Sequence, residues 1–181
     1  MKGPIVVKLP SILVEKLRGM EVDVESLVID SVLNSLNLDP EEELKVHNEL
    51  ARKFLEEGRD LIDEDPVQAS EKLYKAAEEA IKALVLKHRV TDIIRRVKGR
   101  GRWKTEDFFN ASSTLRNVYG DKLRRHWSTA WELHVWGFHE AKYRIEDIEA
   151  TLPPAIWMLN ITKQTIEAVV HERHRTQTRG K

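Results

Sequence analysis

The residues best suited to chemistry are the histidines, arginines and tryptophans concentrated between positions 124 and 143. An α-helical projection of this segment places Arg125, Glu132, Trp136, His139 and Tyr143 on one face. Such a set can bind a phosphate or transfer a proton, because it combines a guanidinium, a carboxylate and an imidazole. It can equally form a hydrogen-bonded seam with another helix or a second subunit. The resulting candidate cleft consists of Lys75, Arg125, His139 and Glu140.

The histidine spacings do not predict a metal site. His134 falls on the apolar face of the same helix, where a hydrogen-bonded core histidine is the favoured interpretation. His134 and His139 are five residues apart, about 140° around an α-helix, whereas two ligands on one helix prefer spacings of three or four. His171 and His174 have that spacing but lack a nearby third ligand. Because cysteine is also absent, we expect neither a metal nor another cofactor.

A basic segment at residues 95–104 is the second candidate, with six positive charges and no negative one. Its glycines keep the backbone adaptable, and Trp103 can stack on a base. The segment can therefore contact RNA, a phosphate or an acidic protein surface. The alternative is a solvated loop that pairs with the acidic first part of the chain. The candidate binding residues are Arg95, Arg96, Lys98, Arg100, Arg102, Trp103 and Lys104.

The charges of the 181-residue chain balance overall, at 30 basic and 30 acidic side chains, but not along its length. Counting residues 1–64 gives 8 basic and 15 acidic side chains, which leaves 22 and 15 for the remainder. Two parts of opposite sign attract each other, and we expect a homodimer. No apolar run approaches the ~18 residues of a membrane span, and the first residues turn polar too early for a signal peptide. We therefore expect a cytoplasmic protein without membrane contact.

Helices must position these residues. Asp39-Pro40 and Asp65-Pro66 each combine an N-cap with proline at the first helical position, which predicts two helices ending near residues 63 and 88. Their short connection makes them antiparallel, with Leu73, Ala77, Ile81 and Leu84 buried between helices. Further helices are expected at 105–119, 121–144 and 151–172, after a glycine-rich loop at 98–102. Residues 39–172 thus predict an all-α, up-and-down antiparallel bundle, and residues 173–181 a disordered tail.

The first 38 residues are expected to form a separate appendage. Residues 5–9 are rich in β-branched side chains and predict a strand, after which two short helices follow. This order resembles the ribbon-helix-helix unit, in which two chains pair their strands and insert them into DNA. Here the outward face of the strand would carry Val6 and Lys8, a poor combination for reading bases. We therefore interpret residues 1–38 as a dimerisation appendage, with DNA binding as an alternative.

Two motifs carry a resemblance to a known family. The run ASEKLYKAAEEAIKAL at residues 69–84 resembles the second helix of a HEPN domain. With the preceding long helix, the basic segment and LHVWGFHE at residues 133–140, the chain is similar to the archaeal PaREP family over about residues 40–170. The resemblance implies an up-and-down bundle like the substrate-binding partner of minimal nucleotidyltransferases, and usually a homodimer.

Many HEPN proteins are RNases or toxins, whose signature is an arginine followed, after four to six residues, by a histidine. None of the seven histidines has an arginine at that offset. Lys82 stands at the right distance before His88 but lacks the guanidinium fork. The resemblance therefore implies no catalytic residues, and we expect a non-catalytic module that binds RNA, a nucleotide or a partner protein. Two alternatives remain: a metal-independent RNase with His139 as acid–base and Arg125 as phosphate clamp, and an antitoxin-like DNA-binding regulator using residues 5–38.

Overall fold

A computed structural model of the single chain describes residues 6–19, 24–36 and 38–162. The chain divides into two compact units, Met1–Asn37 and Leu38–Lys181. Several sequence predictions lie outside the described residues: Ile5 of the expected strand, the end of the last helix, the pair His171 and His174, and the tail at 173–181.

Among its described residues, the N-terminal unit contains the two expected helices, α1 (Ser11–Arg18) and α2 (Val24–Leu36), and no strand. The backbone of residues 6–9 is irregular, so the predicted strand is wrong over these positions. A strand must pair its backbone groups with a second strand, which in a ribbon-helix-helix unit comes from another chain, and the described residues of this single chain form no strand. Val7, expected to face inward, is 70% exposed. The DNA-binding alternative, which requires a ribbon of two strands, therefore gains no support from the fold.

The second unit begins with the two helices that the Asp-Pro signals predicted, α3 (Pro40–Leu61) and α4 (Pro66–Lys87). Asp39 accepts hydrogen bonds from the backbone N–H groups of Glu41 and Glu42, both at 2.9 Å. The Glu42 carboxylate in turn accepts from the Asp39 N–H at 3.2 Å, which completes a capping box. Asp65 caps α4 by accepting from the Gln68 N–H at 3.0 Å.

Helix α4 is the central helix of this unit, with contacts to α3 and to most of the elements that follow. The predicted core residues Leu73, Ala77, Ile81 and Leu84 are all buried, which confirms the expected face. A helix that is apolar on several sides belongs in the middle of a bundle. Gly58 lets α3 approach closely, because a Cβ at this position would lie 2.8 Å from the Leu73 side chain.

The remaining helices are α5 (Thr91–Arg100), α6 (Thr105–Thr114), α7 (Arg116–Tyr119), α8 (Asp121–Glu132), α9 (Ile145–Glu149) and α10, described over residues 152–162. The loop predicted at 98–102 is mostly helical, since α5 continues to Arg100 and ends at Gly101, whose φ of 77° suits glycine. The described residues are thus all-α, and none of their helices is long and apolar enough to cross a membrane.

The segment predicted as one long α-helix at 121–144 is α-helical only in its first half. After α8 the chain forms a π-helix (Leu133–His139), in which each N–H bonds five residues back. The Glu140 N–H continues this pattern by donating to the Val135 carbonyl at 2.9 Å. Gly137 sits directly against α4, where an added Cβ would lie 2.3 Å from the Ser70 hydroxyl. Ala141 follows with a positive φ of 48°, which ends the helix.

Candidate functional site

The basic segment is attached to the bundle through Asp107, whose side chain is completely buried. Arg96 Nε lies 3.2 Å from one carboxylate oxygen of Asp107, and Arg100 donates to the other. That second oxygen also accepts the Lys104 backbone N–H at 2.9 Å. Two of the six cations therefore turn inward and hold the segment in place. The sequence window missed this pairing because its carboxylate lies three residues beyond the last lysine.

The other four cations of the basic segment, Arg95, Lys98, Arg102 and Lys104, are exposed. Trp103 is half-buried and stacks on Phe108, with ring centres 5.0 Å apart and planes 25° from parallel. The structure thus keeps most of the predicted binding residues together on the surface, while the side chains of Arg96, 43% exposed, and Arg100, 22% exposed, are paired with Asp107.

The candidate cleft does not assemble as the α-helical projection suggested. Lys75 is buried, and its ammonium lies 5.5 Å from the centre of the Phe54 ring. His139 and Glu140 are exposed at the end of the π-helix, while Arg125 is exposed on α8, roughly 20 Å along the helix from His139. The RNase alternative, in which Arg125 and His139 act on one phosphate, therefore lacks the required proximity.

The π-helix instead brings together two histidines that the α-helical projection kept apart. His134 Nε2 and His139 Nε2 are 3.0 Å apart, and the two rings are nearly perpendicular, at 82°. The expectation against this pair assumed α-helical geometry, in which a spacing of five residues separates side chains around the axis. In a π-helix, residues five apart are the ones joined by backbone hydrogen bonds. We call His134 and His139 the histidine pair.

Buried neighbours fix the orientation of His134. Its Nδ1 lies 2.9 Å from a carboxylate oxygen of Glu71, a buried residue of α4. Because an ionised carboxylate only accepts hydrogen bonds, Nδ1 carries the proton and the lone pair of a neutral His134 is on Nε2. Tyr74 stacks on the imidazole at 4.3 Å between ring centres, and its hydroxyl donates to Glu78 at 2.7 Å. His134 thus presents Nε2 toward His139.

A buried polar network between α3 and α4, formed by His47, Glu79 and Lys82, was not anticipated from the sequence. His47 Nδ1 lies 2.6 Å from one oxygen of Glu79, and Lys82 donates to the other oxygen at 2.7 Å. All three side chains are almost fully buried. The signal was present as three charged residues, Glu78, Glu79 and Lys82, within an otherwise apolar stretch of α4, but helical spacing alone does not show that His47 contacts Glu79.

The charges in this network support each other. Burial by itself would raise the pKa of the Glu79 carboxyl, but the neighbouring Lys82 and His47 outweigh it and lower that pKa to about 2. Burial likewise opposes protonation of His47, yet the charge of Glu79 and hydrogen bonds with Glu43 and Glu79 raise the pKa of His47 above its usual value. The network is therefore an ionised cluster that stabilises the contact between α3 and α4.

Known proteins resemble this chain in sequence and in fold. The model of a family described as the Archaeal PaREP1/PaREP8 family matches residues 46–159. A crystal structure of a Sulfolobus solfataricus protein is 37% identical, with a TM-score of 0.62, over 65% of this chain and 97% of that one. The solution structure of the Orf c02003 protein is also 37% identical, with a TM-score of 0.55, over 69% and 92% of the respective chains. No curated protein shows a significant match.

Proposed function

Because this chain belongs to the archaeal PaREP1/PaREP8 family, and because its basic segment is fixed to the bundle by a buried carboxylate, we propose that it is a helical binding module of HEPN type whose ligand is single-stranded RNA. The fold supports the proposal through its antiparallel helices around α4. The basic segment alone supports RNA as the ligand.

The anchoring of the basic segment by Asp107 is the observation that carries the proposal. A long cationic loop loses conformational entropy when it binds, whereas a segment already held by Arg96 and Arg100 loses less. The anchored segment displays four exposed cations, which can contact successive phosphates without reading the bases. The part of Trp103 that Phe108 leaves uncovered can stack on a base, since every base offers a π-face.

Replacing Lys98, Arg102 and Lys104 together by alanine is expected to weaken the binding of a labelled oligouridine and to flatten its salt dependence. The slope of log K against log salt should fall by about 2, because each lost phosphate contact removes roughly 0.7 on a single strand. Fluorescence anisotropy at several salt concentrations measures both quantities. The matched control replaces Lys45, Arg52 and Arg59, three exposed cations of α3, and should leave the slope unchanged. Equal slopes in the parent and the first variant would refute the assignment of the binding surface.

We also propose that residues 1–38 mediate homodimerisation. Helix α2 buries none of its residues, although half of them are apolar. Ile12, Val32 and Leu36 are 71%, 50% and 60% exposed, respectively. A unit of fewer than about 40 residues rarely buries enough surface to be stable without a partner. A second copy of the same unit would cover these side chains in a two-fold contact.

Multi-angle light scattering of the full chain is expected to give about twice the mass of one chain. Val32→Glu together with Leu36→Glu should shift the mass toward the monomer, because two carboxylates would have to be buried in the contact. The control, Ser31→Glu with Ser35→Glu, changes neighbouring exposed positions of the same helix. A parent chain that is monomeric at micromolar concentration would contradict dimerisation altogether.

A further inference from the structure

The two Nε2 atoms of the histidine pair lie within hydrogen-bond distance, but the two rings are not arranged in line. An in-line N–H···N bond of 3.0 Å between two imidazoles would hold the ring centres more than roughly 5 Å apart. The observed separation of the ring centres is 4.4 Å, with the two Nε2 atoms at 3.0 Å. At least one ring is therefore tilted off the line between the ring centres, and the two Nε2 atoms lie close together.

The surroundings of His134 add a second, independent observation. Histidines that bind metals almost always donate their other ring N–H to a carboxylate, a carbonyl or water, which fixes the tautomer and strengthens the ligand. His134 has this arrangement, with Nδ1 directed at the Glu71 carboxylate 2.9 Å away. His139, by contrast, is exposed, so an ion from solution can reach the pair.

The backbone provides a third observation. The two histidines meet only because residues 133–139 form a π-helix, and such segments occur frequently at functional sites. The contact of Gly137 with Ser70 packs this segment against α4, which also carries Glu71. The segment that carries the pair and the helix that carries its supporting carboxylate are therefore packed against each other, which favours a preorganised ligand set.

We propose that His134 and His139 bind one divalent late transition-metal ion, of which Zn²⁺ and Cu²⁺ are the chemically favoured examples. Imidazole nitrogen suits these ions, whereas Mg²⁺ and Ca²⁺ prefer oxygen ligands. Within residues 6–19, 24–36 and 38–162, no group of three or more metal-ligating side chains forms a complete site. The pair therefore supplies two ligands, and the remaining coordination positions are open to water or to a small anionic ligand.

The charged groups around the pair are compatible with a cation of this kind. Glu71 is the carboxylate behind His134, and Glu140 follows His139 directly in the chain. Lys142 is the nearby opposing charge, but its ammonium lies 3.0 Å from Glu140 and 5.0 Å from the centre of the Trp136 ring. A metal ion binds only unprotonated imidazole nitrogen, so binding is expected to weaken as the pH falls.

Isothermal titration of the full chain, prepared without a histidine tag, tests the proposal with ZnCl₂, CuCl₂ and MgCl₂. We expect one site per chain for Zn²⁺ and for Cu²⁺, with Cu²⁺ the tighter, and no saturable binding of Mg²⁺. His139→Ala should abolish the site. Glu71→Gln should weaken it by roughly 10- to 100-fold, the usual effect of removing a supporting carboxylate. His126→Ala, which changes a histidine of α8 outside the pair, should bind like the parent.

Fluorescence quenching provides a second test that does not rely on the heat of binding. Trp131 lies 5.3 Å from His134 between ring centres, so bound Cu²⁺ should quench its fluorescence, and His139→Ala or His139→Gln should remove the quenching. Because His139 is exposed, circular dichroism should show both variants folded. The absence of saturable Zn²⁺ and Cu²⁺ binding in the parent, or equal binding in His139→Ala and His139→Gln, would overturn the proposal. RNA binding by the basic segment is measured separately and does not depend on this outcome.

Discussion

Replacing Glu79 by alanine is expected to lower the free energy of unfolding by about 3–5 kcal/mol, the usual result when one partner of a buried ion pair is removed. The substitution leaves the Lys82 ammonium and the His47 imidazole buried without the carboxylate that both contact. Because each of these two side chains is only 2% exposed, water cannot take the place of the lost carboxylate. The loss should therefore exceed that of a typical surface mutation several-fold.

Urea unfolding followed by circular dichroism at neutral pH measures this effect. Glu49→Ala provides a matched control, because it removes an exposed carboxylate from α3 and should change stability by less than about 0.5 kcal/mol. Glu79→Gln, which keeps the volume of the side chain, should lower the free energy of unfolding by more than Glu49→Ala and by less than Glu79→Ala. If Glu79→Ala unfolds at the same urea concentration as the parent, the ionised cluster does not contribute to stability.

The same variant should also change the pH dependence of stability. The pKa of Glu79 is lowered from 4.5 to about 2 in the folded protein, so its contribution is fully present above 4.5 and is lost as the pH falls toward 2. The pKa of His47 is raised, and its contribution is therefore present below 6.5 and is lost as the pH rises through the folded value. In Glu79→Ala, the free energy of unfolding should therefore vary less with pH, both below pH 4.5 and above pH 6.5.

Ala77→Arg is expected to cost more than ~3 kcal/mol and to lower the melting temperature by roughly 6 °C or more. Ala77 is 2% exposed on the central helix, where a guanidinium has no room. Differential scanning calorimetry measures the change. Gln68→Arg, at an exposed position of the same helix, should leave the melting temperature nearly unchanged. A melting temperature close to that of the parent would show that this face of α4 is not packed as described.

Local signals explain why much of the bundle could be predicted from the sequence. Asp39-Pro40 and Asp65-Pro66 define the starts of α3 and α4 within a few residues, since capping is decided by neighbours in the chain. The buried face of α4 follows from helical periodicity in the same way. The motifs at residues 69–84 and 133–140 identified the PaREP family, which the family match confirms.

The features that escaped prediction depend on contacts between distant residues. The π-helix packs Gly137 against Ser70, 67 positions earlier, and nothing within residues 133–139 specifies that contact. Asp107 pairs with Arg96 and Arg100 from the next helix, three residues beyond the basic segment. His47 and Glu79 meet across α3 and α4. The strand predicted at 5–9 does not form over the described positions 6–9 for the opposite reason, because local propensity favoured it but the described residues offer no second strand.

The π-helix also affects how this chain should be aligned with its relatives. A π-helical turn contains about one residue more than an α-helical turn, so a spacing of five in the first corresponds to a spacing of four in the second. A relative with a regular α-helix and one residue fewer between its two histidines would therefore present the same pair of imidazoles on the same face. A residue-by-residue sequence alignment would show a gap between the two histidines and would place one of them in a different column. Superposition of the helix axes would instead reveal a one-residue insertion that the backbone absorbed without moving the side chains.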